Sequence, residues 1–177
     1  MSKLRVHLYG DPVLRQKAEP IEQITDEIRQ LAEDMLVTMY EEEGIGLAAP
    51  QVGRSIRLLV VDPQAVDETA PGAMAFINPE TTESSGEWTY DEGCLSIPGI
   101  VAEIKRPEKV RVHYFDTNGE ERHETFDGMM ARVLQHEMDH LEGKLFVDYL
   151  SPMRRALIMK KLREISKEGQ GEVEEVG

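Results

Sequence analysis

Residues 133–142 read VLQHEMDHLE, a segment in which two histidines lie four residues apart and a glutamate directly follows the first. On a helix, side chains four residues apart share one face with Cβ atoms about 5–6 Å apart, so His136 and His140 could bind one metal ion. Glu137 could then act as a general base on a metal-bound water. The alternative is a solvated, charged helix surface. The spacing favours a metal site.

A catalytic metal site of this kind needs a third protein ligand and one open position for water. A pattern with a third histidine six residues after the second fails, because Phe146 occupies that position. A carboxylate from Glu164 could serve, as in thermolysin-like peptidases. A thiolate from Cys94 could also serve, since sulfur binds borderline-soft divalent metals firmly. Cys94 is the only cysteine, and a lone cysteine is often a buried apolar residue instead.

Two glycine-containing segments could bring backbone close to a ligand. Residues 92–99 read EGCLSIPG and hold Gly93 beside Cys94. Residues 44–53 read GIGLAAPQVG and contain a single amide side chain, Gln51. The alternative for the second segment is a tight turn into the next strand, with Gln51 at the surface.

Composition limits the classes of function. The chain has 177 residues, enough to bury one sizeable core within a single domain. Its formal net charge of -14 argues against direct DNA binding, because phosphate contacts need a basic surface. The first residues contain no apolar run typical of a signal peptide, and the LLVV segment is too short to span a bilayer. We therefore expect no membrane contact and a cytoplasmic location.

Hydrophobic periodicity predicts the elements that position these residues. Apolar residues at spacings of three and four predict a helix from Thr25 to Gly44, and the Asn118-Gly119 pair predicts a hairpin of residues 109–115 and 121–126. The other predicted elements are a short helix at residues 11–16, strands at 56–62 and 75–79 with a loop at 63–72, a helix from residue 127 to about Gly143, and a last helix from Ser151 to about Lys167.

The order of these elements predicts an α+β fold, because strands of antiparallel character lie between the helices without regular strand–helix alternation. We expect one domain at residues 1–167. Residues 168–177 read EGQGEVEEVG, and this acidic segment is predicted to be a flexible tail.

The segments GIGLAAPQVG, EGCLSIPG and QHEMDHLEG, in this order and with these spacings, resemble the three signature motifs of peptide deformylases. The similarity extends over about residues 1–165. It implies a compact α+β domain in which antiparallel sheets pack around a central metal-binding helix, followed by a C-terminal helix. It also implies a metal-dependent hydrolase that removes the N-formyl group from the N-terminal formyl-methionine of newly synthesised polypeptides and releases formate.

The resemblance assigns roles position by position. The implied metal ligands are Cys94, His136 and His140. Glu137 would be the general acid/base while metal-bound water attacks the formyl carbon, and Gln51 with the backbone N–H of Leu95 would polarise the formyl oxygen. One divalent ion per chain is implied. Fe2+ is the common native metal of the family, and Zn2+, Ni2+ or Co2+ suit the same donors.

Several further residues are predicted to bind substrate. Met129 and Val133 lie on the metal side of the histidine helix and could form, with Ile45, an apolar pocket for the methionine side chain; ordinary core packing is the alternative. Gly46 could let the substrate backbone pair with a strand edge. The set of substrate-binding residues is Ile45, Gly46, Gly93, Met129 and Val133.

Two arginines receive weaker assignments. Arg132 is expected to reach substrate backbone or solvent from the face next to the metal. Arg106 is expected to form a supporting ion pair with Glu43.

The last helix carries a basic strip on an otherwise acidic protein. A solvated helix face is the simple interpretation. Some bacterial deformylases dock on the ribosome through a C-terminal helix, so the resemblance implies a ribosome contact here. The residues of this strip are Arg154, Arg155, Lys160, Lys161 and Arg163.

Two rival functions stay open from the sequence. A metallopeptidase would use His136, His140 and Glu164, and its metal would survive replacement of Cys94 by serine. A non-enzymatic metal-binding module would use the ion only for folding. Such a site normally fills all four positions with protein ligands, and Glu137 would have no role in it.

Overall fold

A computed structural model of the chain describes residues 2–176, with side chains for residues 2–171. It confirms the predicted α+β fold. The helices are α1 (Asp26–Glu41), α2 (Gly128–Leu141) and α3 (Pro152–Val176), and the strands are β1 (Gly46–Ala48), β2 (Leu58–Val61), β3 (Met74–Ser85), β4 (Trp88–Cys94), β5 (Ile97–Arg106), β6 (Lys109–Phe115) and β7 (Glu121–Asp127). Short 3-10 turns occupy Pro12–Arg15, Ala49–Val52, Pro63–Ala65 and Phe146–Tyr149.

The described strands form two antiparallel sheets. The larger has the order β1-β2-β3-β6-β7, and the smaller is the hairpin β4-β5. β1 is therefore an edge strand: Gly46 pairs with Val61 of β2, and the other edge of β1 is free of sheet partners among the described strands.

The short strand β2 is buried on both faces, which explains why its residues are all apolar instead of alternating between apolar and polar. Leu59 and Val61 pack toward α2, whereas Leu58 and Val60 pack toward α1. Burying an aliphatic side chain of this size contributes about 1.5–3 kcal/mol. The sheet thus holds both long helices in place from opposite sides.

Helix α1 starts where the sequence predicts. The Thr25 side chain accepts a hydrogen bond from the N–H of Ile28. Two acidic residues occupy the first turn, where their negative charges interact favourably with the positive end of the helix dipole. Met35 and Met39 are fully buried on the sheet-facing stripe. This packing fixes the C-terminal end of α1 against the sheet, and with it the start of the short segment that leads into β1.

Helix α2 lies between the two sheets. Ala131 and Leu134 are fully buried in the core against the larger sheet. His136 and His140 lie within reach of the smaller sheet, because Glu92 and Cys94 of β4 contact them. The predicted central position of this helix is confirmed.

Helix α3 is longer than predicted. It extends to Val176 rather than ending near Lys167. Leu162 and Ile165 pack in the core of the smaller sheet, and a Cβ placed on Gly169 would collide with the backbone oxygen of Tyr9. This close packing continues the helix past the predicted end. The proposed division into a domain at 1–167 and a tail at 168–177 stays a prediction, and Gly177 lies outside the described residues.

None of the helices in the described part of the chain combines the length and the apolar character that crossing a membrane requires.

Candidate metal centre and active site

The structure brings the three predicted ligands together. The ligand atoms of Cys94, His136 and His140 all lie within 4.8 Å of one another, and Cys94 Sγ is 3.4 Å from Nε2 of His140. Sulfur and nitrogen ligands of a tetrahedral ion, at about 2.3 and 2.0–2.1 Å from it, lie roughly 3.5 Å apart. The cluster therefore fits one divalent ion of this type.

The alternative third ligand is not part of this cluster. Glu164 is exposed on α3 and does not join His136 and His140 in any group of three metal-binding side chains within the described residues. Cys94 reaches the cluster from the end of β4. The geometry thus favours the thiolate over the carboxylate.

Glu92 orients one of the ligands. Its Oε1 lies 2.9 Å from Nδ1 of His136, which leaves Nε2 of the ring for the ion. Arg106 donates to the same carboxylate from Nε at 2.6 Å and from Nη2 at 2.8 Å. Burial raises the pKa of Glu92, but the hydrogen bonds from His136 and Arg106 outweigh burial and hold that pKa at about 2. The carboxylate stays ionised and fixes the tautomer of His136.

The predicted ion pair between Arg106 and Glu43 is wrong. Arg106 is buried and bridges two other carboxylates: besides Glu92, it binds Oδ2 of Asp139 at 2.8 Å. Asp139 also accepts a hydrogen bond from the hydroxyl of Tyr149 at 2.7 Å.

The structure contradicts the expectation that Arg132 reaches solvent, whereas contact with substrate backbone stays a prediction, because Arg132 lines a cleft beside Cys94 and His136. This residue is buried, and its guanidinium donates to Glu92 and to the backbone oxygens of Trp88 and Ile104. β4 and β5 cover the face of α2 that carries it. Arg132 therefore supports the glutamate that orients His136 instead of reaching solvent.

Glu137 lies beside the ligands without binding to them closely. Its Oε1 is 3.7 Å from Nε2 of His136 and 3.9 Å from Nε2 of His140, and its buried Oε2 has no hydrogen-bond partner in the described part of the chain. Burial raises the pKa of Glu137 to about 7. A carboxyl with this pKa can take up and release a proton near neutral pH.

The two histidines differ in protonation. Burial opposes the charged form of His136, but its hydrogen bonds to Cys94 and Glu92 raise its pKa well above the ordinary value. Burial lowers the pKa of His140 well below that value. A neutral His140 is ready to act as a ligand, whereas a metal must displace a proton from His136.

The residues predicted to polarise the substrate lie next to Cys94. Gln51 is buried and not at the surface: its Oε1 accepts from the N–H of Ala48 at 2.9 Å. Its Nε2 donates to Ser96 Oγ at 3.2 Å and lies 3.5 Å from Cys94 Sγ. Leu95 and Ser96 form the two-residue turn between β4 and β5. The Leu95 N–H is thus adjacent to Cys94 of the candidate metal site.

A cleft of about 550 Å³ opens onto this cluster. Its lining includes every predicted substrate residue, namely Ile45, Gly46, Gly93, Met129 and Val133. A larger cleft of about 830 Å³ lies between residues 63–75 and the start of α2. It contains no ligand residue, and Met129 lines both clefts. The chemistry therefore belongs to the smaller cleft.

Gly46 has a packing role that the sequence did not suggest. A Cβ at this position would lie 2.9 Å from Cγ of Glu137 and 3.0 Å from Cγ1 of Val133. Only a glycine lets β1 approach α2 closely enough to enclose Glu137. Sequence reasoning also missed Glu92, although residues 92 and 94 of a strand point to the same face and Cys94 was already a candidate.

A helix with two candidate histidine ligands and a buried glutamate, beside a cysteine from a neighbouring hairpin and open to a cleft, is an arrangement that suits a metal-dependent hydrolase. Residues 3–156 match the family model described as polypeptide deformylase. A peptide deformylase of Cytophaga hutchinsonii is 49% identical over 162 residues, covering 90% of this chain and 88% of that protein. One of Mesorhizobium japonicum is 48% identical, covering 89% of this chain and 90% of that protein.

The solved structures agree with these relatives. The crystal structure of peptide deformylase from Thermus thermophilus has 44% sequence identity and a TM-score of 0.86, and covers 94% of this chain and 99% of that chain. This chain belongs to the polypeptide deformylase family, which is metal-dependent, and it is an enzyme.

Proposed function

We propose that this enzyme removes the formyl group from the N-terminal formyl-methionine of newly synthesised polypeptides and releases formate. The proposal rests on one observation above all: Cys94, His136 and His140 converge beside a cleft that Cys94, His136 and the buried Glu137 line. Family membership supports the reaction. New polypeptides are made in the cytoplasm, so that is the proposed location.

Cys94, His136 and His140 would hold one divalent ion, with Fe2+ as the proposed native metal. Zn2+, Ni2+ and Co2+ are compatible with the same donors. When bound, the ion supplies hydroxide at neutral pH by lowering the pKa of water, and it draws electron density from the formyl carbonyl. The structure supports this fit through the ligand spacing and through the hydrogen bond that directs Nε2 of His136 toward the cluster.

Glu137 would carry the proton between the two halves of the reaction. Its unpartnered Oε2 can accept the proton of the attacking water. The same oxygen can then deliver that proton to the departing amine, which is otherwise a poor leaving group. A pKa raised to about 7 suits both steps.

Gln51 and Leu95 would stabilise the negative charge that develops on the formyl oxygen. The Gln51 amide is held in place through Ala48, so its Nε2 can exchange the Cys94 contact for the formyl oxygen without moving far. The Leu95 N–H in the turn would donate from the neighbouring side. Loss of one such donor typically lowers the rate by about 100- to 1000-fold.

The cleft would select methionine and align the chain behind it. Ile45, Met129 and Val133 supply apolar lining for the methionine side chain. The free edge of β1 at Gly46 would pair with the substrate backbone, and Gly93 would leave room opposite it.

A ribosome contact through α3 is a further part of this proposal. Met153 and Leu157 are 78% and 81% exposed, which is unusual for large apolar side chains. They share the helix with the basic strip Arg154, Arg155, Lys160, Lys161 and Arg163. Exposed basic side chains suit the RNA phosphates of a ribosome, and exposed apolar side chains suit its proteins.

The test is formate release from formyl-Met-Ala-Ser by anaerobically purified enzyme, with metal content measured on the same sample. Glu137→Gln should retain its metal and lose turnover by at least about 100-fold, as removal of a general acid/base implies. Cys94→Ser should lose metal. Absence of formate from wild-type enzyme with a full complement of iron or nickel would overturn the proposal, as would metal retained by Cys94→Ser.

A further inference from the structure

A second group of metal-binding side chains lies on the hairpin β6-β7, away from the active-site cleft. It consists of His113, Glu121 and His123, whose ligand atoms all lie within 4.8 Å of one another. The buried residues of β6, such as Val112, pack toward α2, so alternation places His113 on the opposite face of the sheet. None of these three residues has a role in the proposed reaction.

The strand register builds this cluster. His113 and His123 are direct cross-strand partners, and Glu121 lies two residues before His123 on the same face. The two imidazole rings stack with centroids 4.4 Å apart and planes inclined by 17°. The strands hold the two rings side by side, and because the Nε2 lone pairs lie in the ring planes, binding of one ion by both nitrogens would require the rings to turn out of this stack.

The distances within the cluster match those around a tetrahedral ion. Oε1 of Glu121 lies 3.3 Å from Nε2 of His113 and 3.1 Å from Nε2 of His123. Nitrogen and oxygen ligands at about 2.0–2.1 Å from a tetrahedral zinc ion are separated by roughly 3.3–3.4 Å. Oε1 of Glu121 thus lies at a ligand-to-ligand distance from both Nε2 atoms, and it is hydrogen-bonded to Nε2 of His123.

One nitrogen of the cluster has no hydrogen-bond partner among the described residues. Nε2 of His113 is shielded from solvent and, despite its distance to Glu121, is not aimed well enough to form a hydrogen bond with any described residue. Oε2 of Glu80 lies 3.9 Å from Nδ1 of the same ring, beyond hydrogen-bond distance, so it places negative charge beside the ring without fixing its tautomer.

The local charge also favours a cation. Glu80 and Glu121 supply two carboxylates beside the rings. A cation on this face, Arg111, donates to Thr125 Oγ1 at 3.2 Å, two residues along the strand from His113. The chain as a whole carries a formal net charge of -14.

We propose that His113, Glu121 and His123 form a second, surface metal site that binds a borderline-soft divalent ion such as Zn2+ through two imidazoles and one carboxylate. It lacks a thiolate, so it binds more weakly than the cysteine-containing centre. It joins the two strands of the hairpin and leaves one coordination position open to solvent.

The test counts zinc ions on enzyme whose active-site metal is already bound. Tag-free wild-type protein is titrated with Zn2+ by calorimetry above the ordinary pKa of histidine, so that both rings are neutral. We expect one further equivalent. Glu121→Gln and His123→Ala should weaken it by at least about 100-fold, because losing even an outer partner of a metal ligand costs 10–100-fold.

Glu120→Gln is the matched control, because Glu120 is adjacent and exposed but binds Arg122 instead. It should bind the further zinc ion like wild type. Formate release measured before zinc is added should be equal in all four proteins, which shows that they are folded. If wild type binds no further equivalent, or if Glu121→Gln and His123→Ala bind it as tightly as wild type, the second site does not exist.

Discussion

At the scale of single residues, Glu92 connects the proposed metal ligand His136 to the rest of the protein. It fixes the tautomer of His136 by a hydrogen bond and is itself held by two buried arginines, Arg106 and Arg132. An ion pair buried in this way adds little net stability, because desolvation offsets the attraction. Its benefit is positional: the hydrogen bond to Glu92 holds the imidazole ring of His136 in one orientation at the proposed metal site.

Replacing Glu92 by glutamine should lower metal affinity by about 10–100-fold, because an amide accepts a weaker hydrogen bond from His136 and removes one of the two carboxylates that Arg106 bridges. Competition against a chelator measures this affinity. Glu103→Gln is the control, since Glu103 is exposed on β5. Equal affinity in Glu92→Gln and wild type would contradict the positioning role.

The residues that could hold the metal were predictable because their chemistry is rare and their spacing is specific. Two histidines at helical spacing and a single cysteine leave few combinations. Arg132 was not predictable in the same way. An arginine on a helix is normally a solvated residue, and only the strands packed over it turn its guanidinium inward.

At the scale of elements, the hairpin β4-β5 is the main feature that the sequence did not reveal. Its turn, Leu95-Ser96, contains none of the Gly or Asn residues that normally mark a two-residue turn. The glycines and the proline of EGCLSIPG indicated only that its backbone could approach a ligand. β1 has three residues and is too short for any periodicity. By contrast, α1 and the hairpin β6-β7 carry strong local signals and were predicted.

The contact between β1 and α2 gives a prediction at this scale. Gly46→Ala would push a methyl group against Glu137 and Val133. A displacement of about 1 Å at a catalytic group can cost about 100-fold, so kcat should fall by that order while metal content stays unchanged.

Gly72→Ala is the matched control for this change, because a Cβ there meets no described atom within 4 Å. Steady-state formate release measures both variants. Full activity in Gly46→Ala would mean that the strand can yield without moving Glu137.

The link between the first 3-10 turn and the segment before α3 gives a pH-dependent prediction. Asp148 accepts from Arg15 Nη1 at 2.7 Å and from the N–H of Leu145 at 3.0 Å. Burial raises the pKa of Asp148, but these two hydrogen bonds outweigh it and hold the pKa below its ordinary value of 3.8. The stabilisation is therefore present above about pH 4 and is lost as the pH falls through the lowered pKa.

Asp148→Asn should accordingly lower the free energy of unfolding by about 0.5–1 kcal/mol near neutral pH, because the pair with Arg15 is bidentate but partly exposed, and solvent screens it. The difference from wild type should shrink in acid. Asp26→Asn should change stability little, because its pair with Arg29 is exposed. Urea unfolding at a series of pH values measures both. A deficit in Asp148→Asn that is independent of pH would show that the charge does not matter.

At the scale of the whole molecule, charge is distributed unevenly. The chain is acidic overall, yet the exposed positions of the first half of α3 are rich in Arg and Lys. Some of these cations serve the fold: Lys161 donates to the backbone oxygen of Gly99, and Arg154 donates to that of Glu103. Lys160 and Arg163 are exposed beside a shallow groove on the helix. They are therefore the cations best placed for a partner.

Removing α3 would not test the proposed ribosome contact, because Leu162 and Ile165 belong to the core and truncation would expose it. The double variant Lys160→Glu/Arg163→Glu reverses the charge without touching that core. It should pellet less with ribosomes than wild type does, and the wild-type interaction should weaken as salt is raised, because salt screens exposed charges.

A matched control has to reverse the same amount of charge elsewhere on the surface. Lys17→Glu/Lys144→Glu does so, because both residues are exposed and lie outside α3. If only net charge governs association, both double variants should lose pelleting equally. If α3 is the contact, the control should pellet like wild type, and only the α3 variant should stay in solution while it releases formate from free peptide at the wild-type rate.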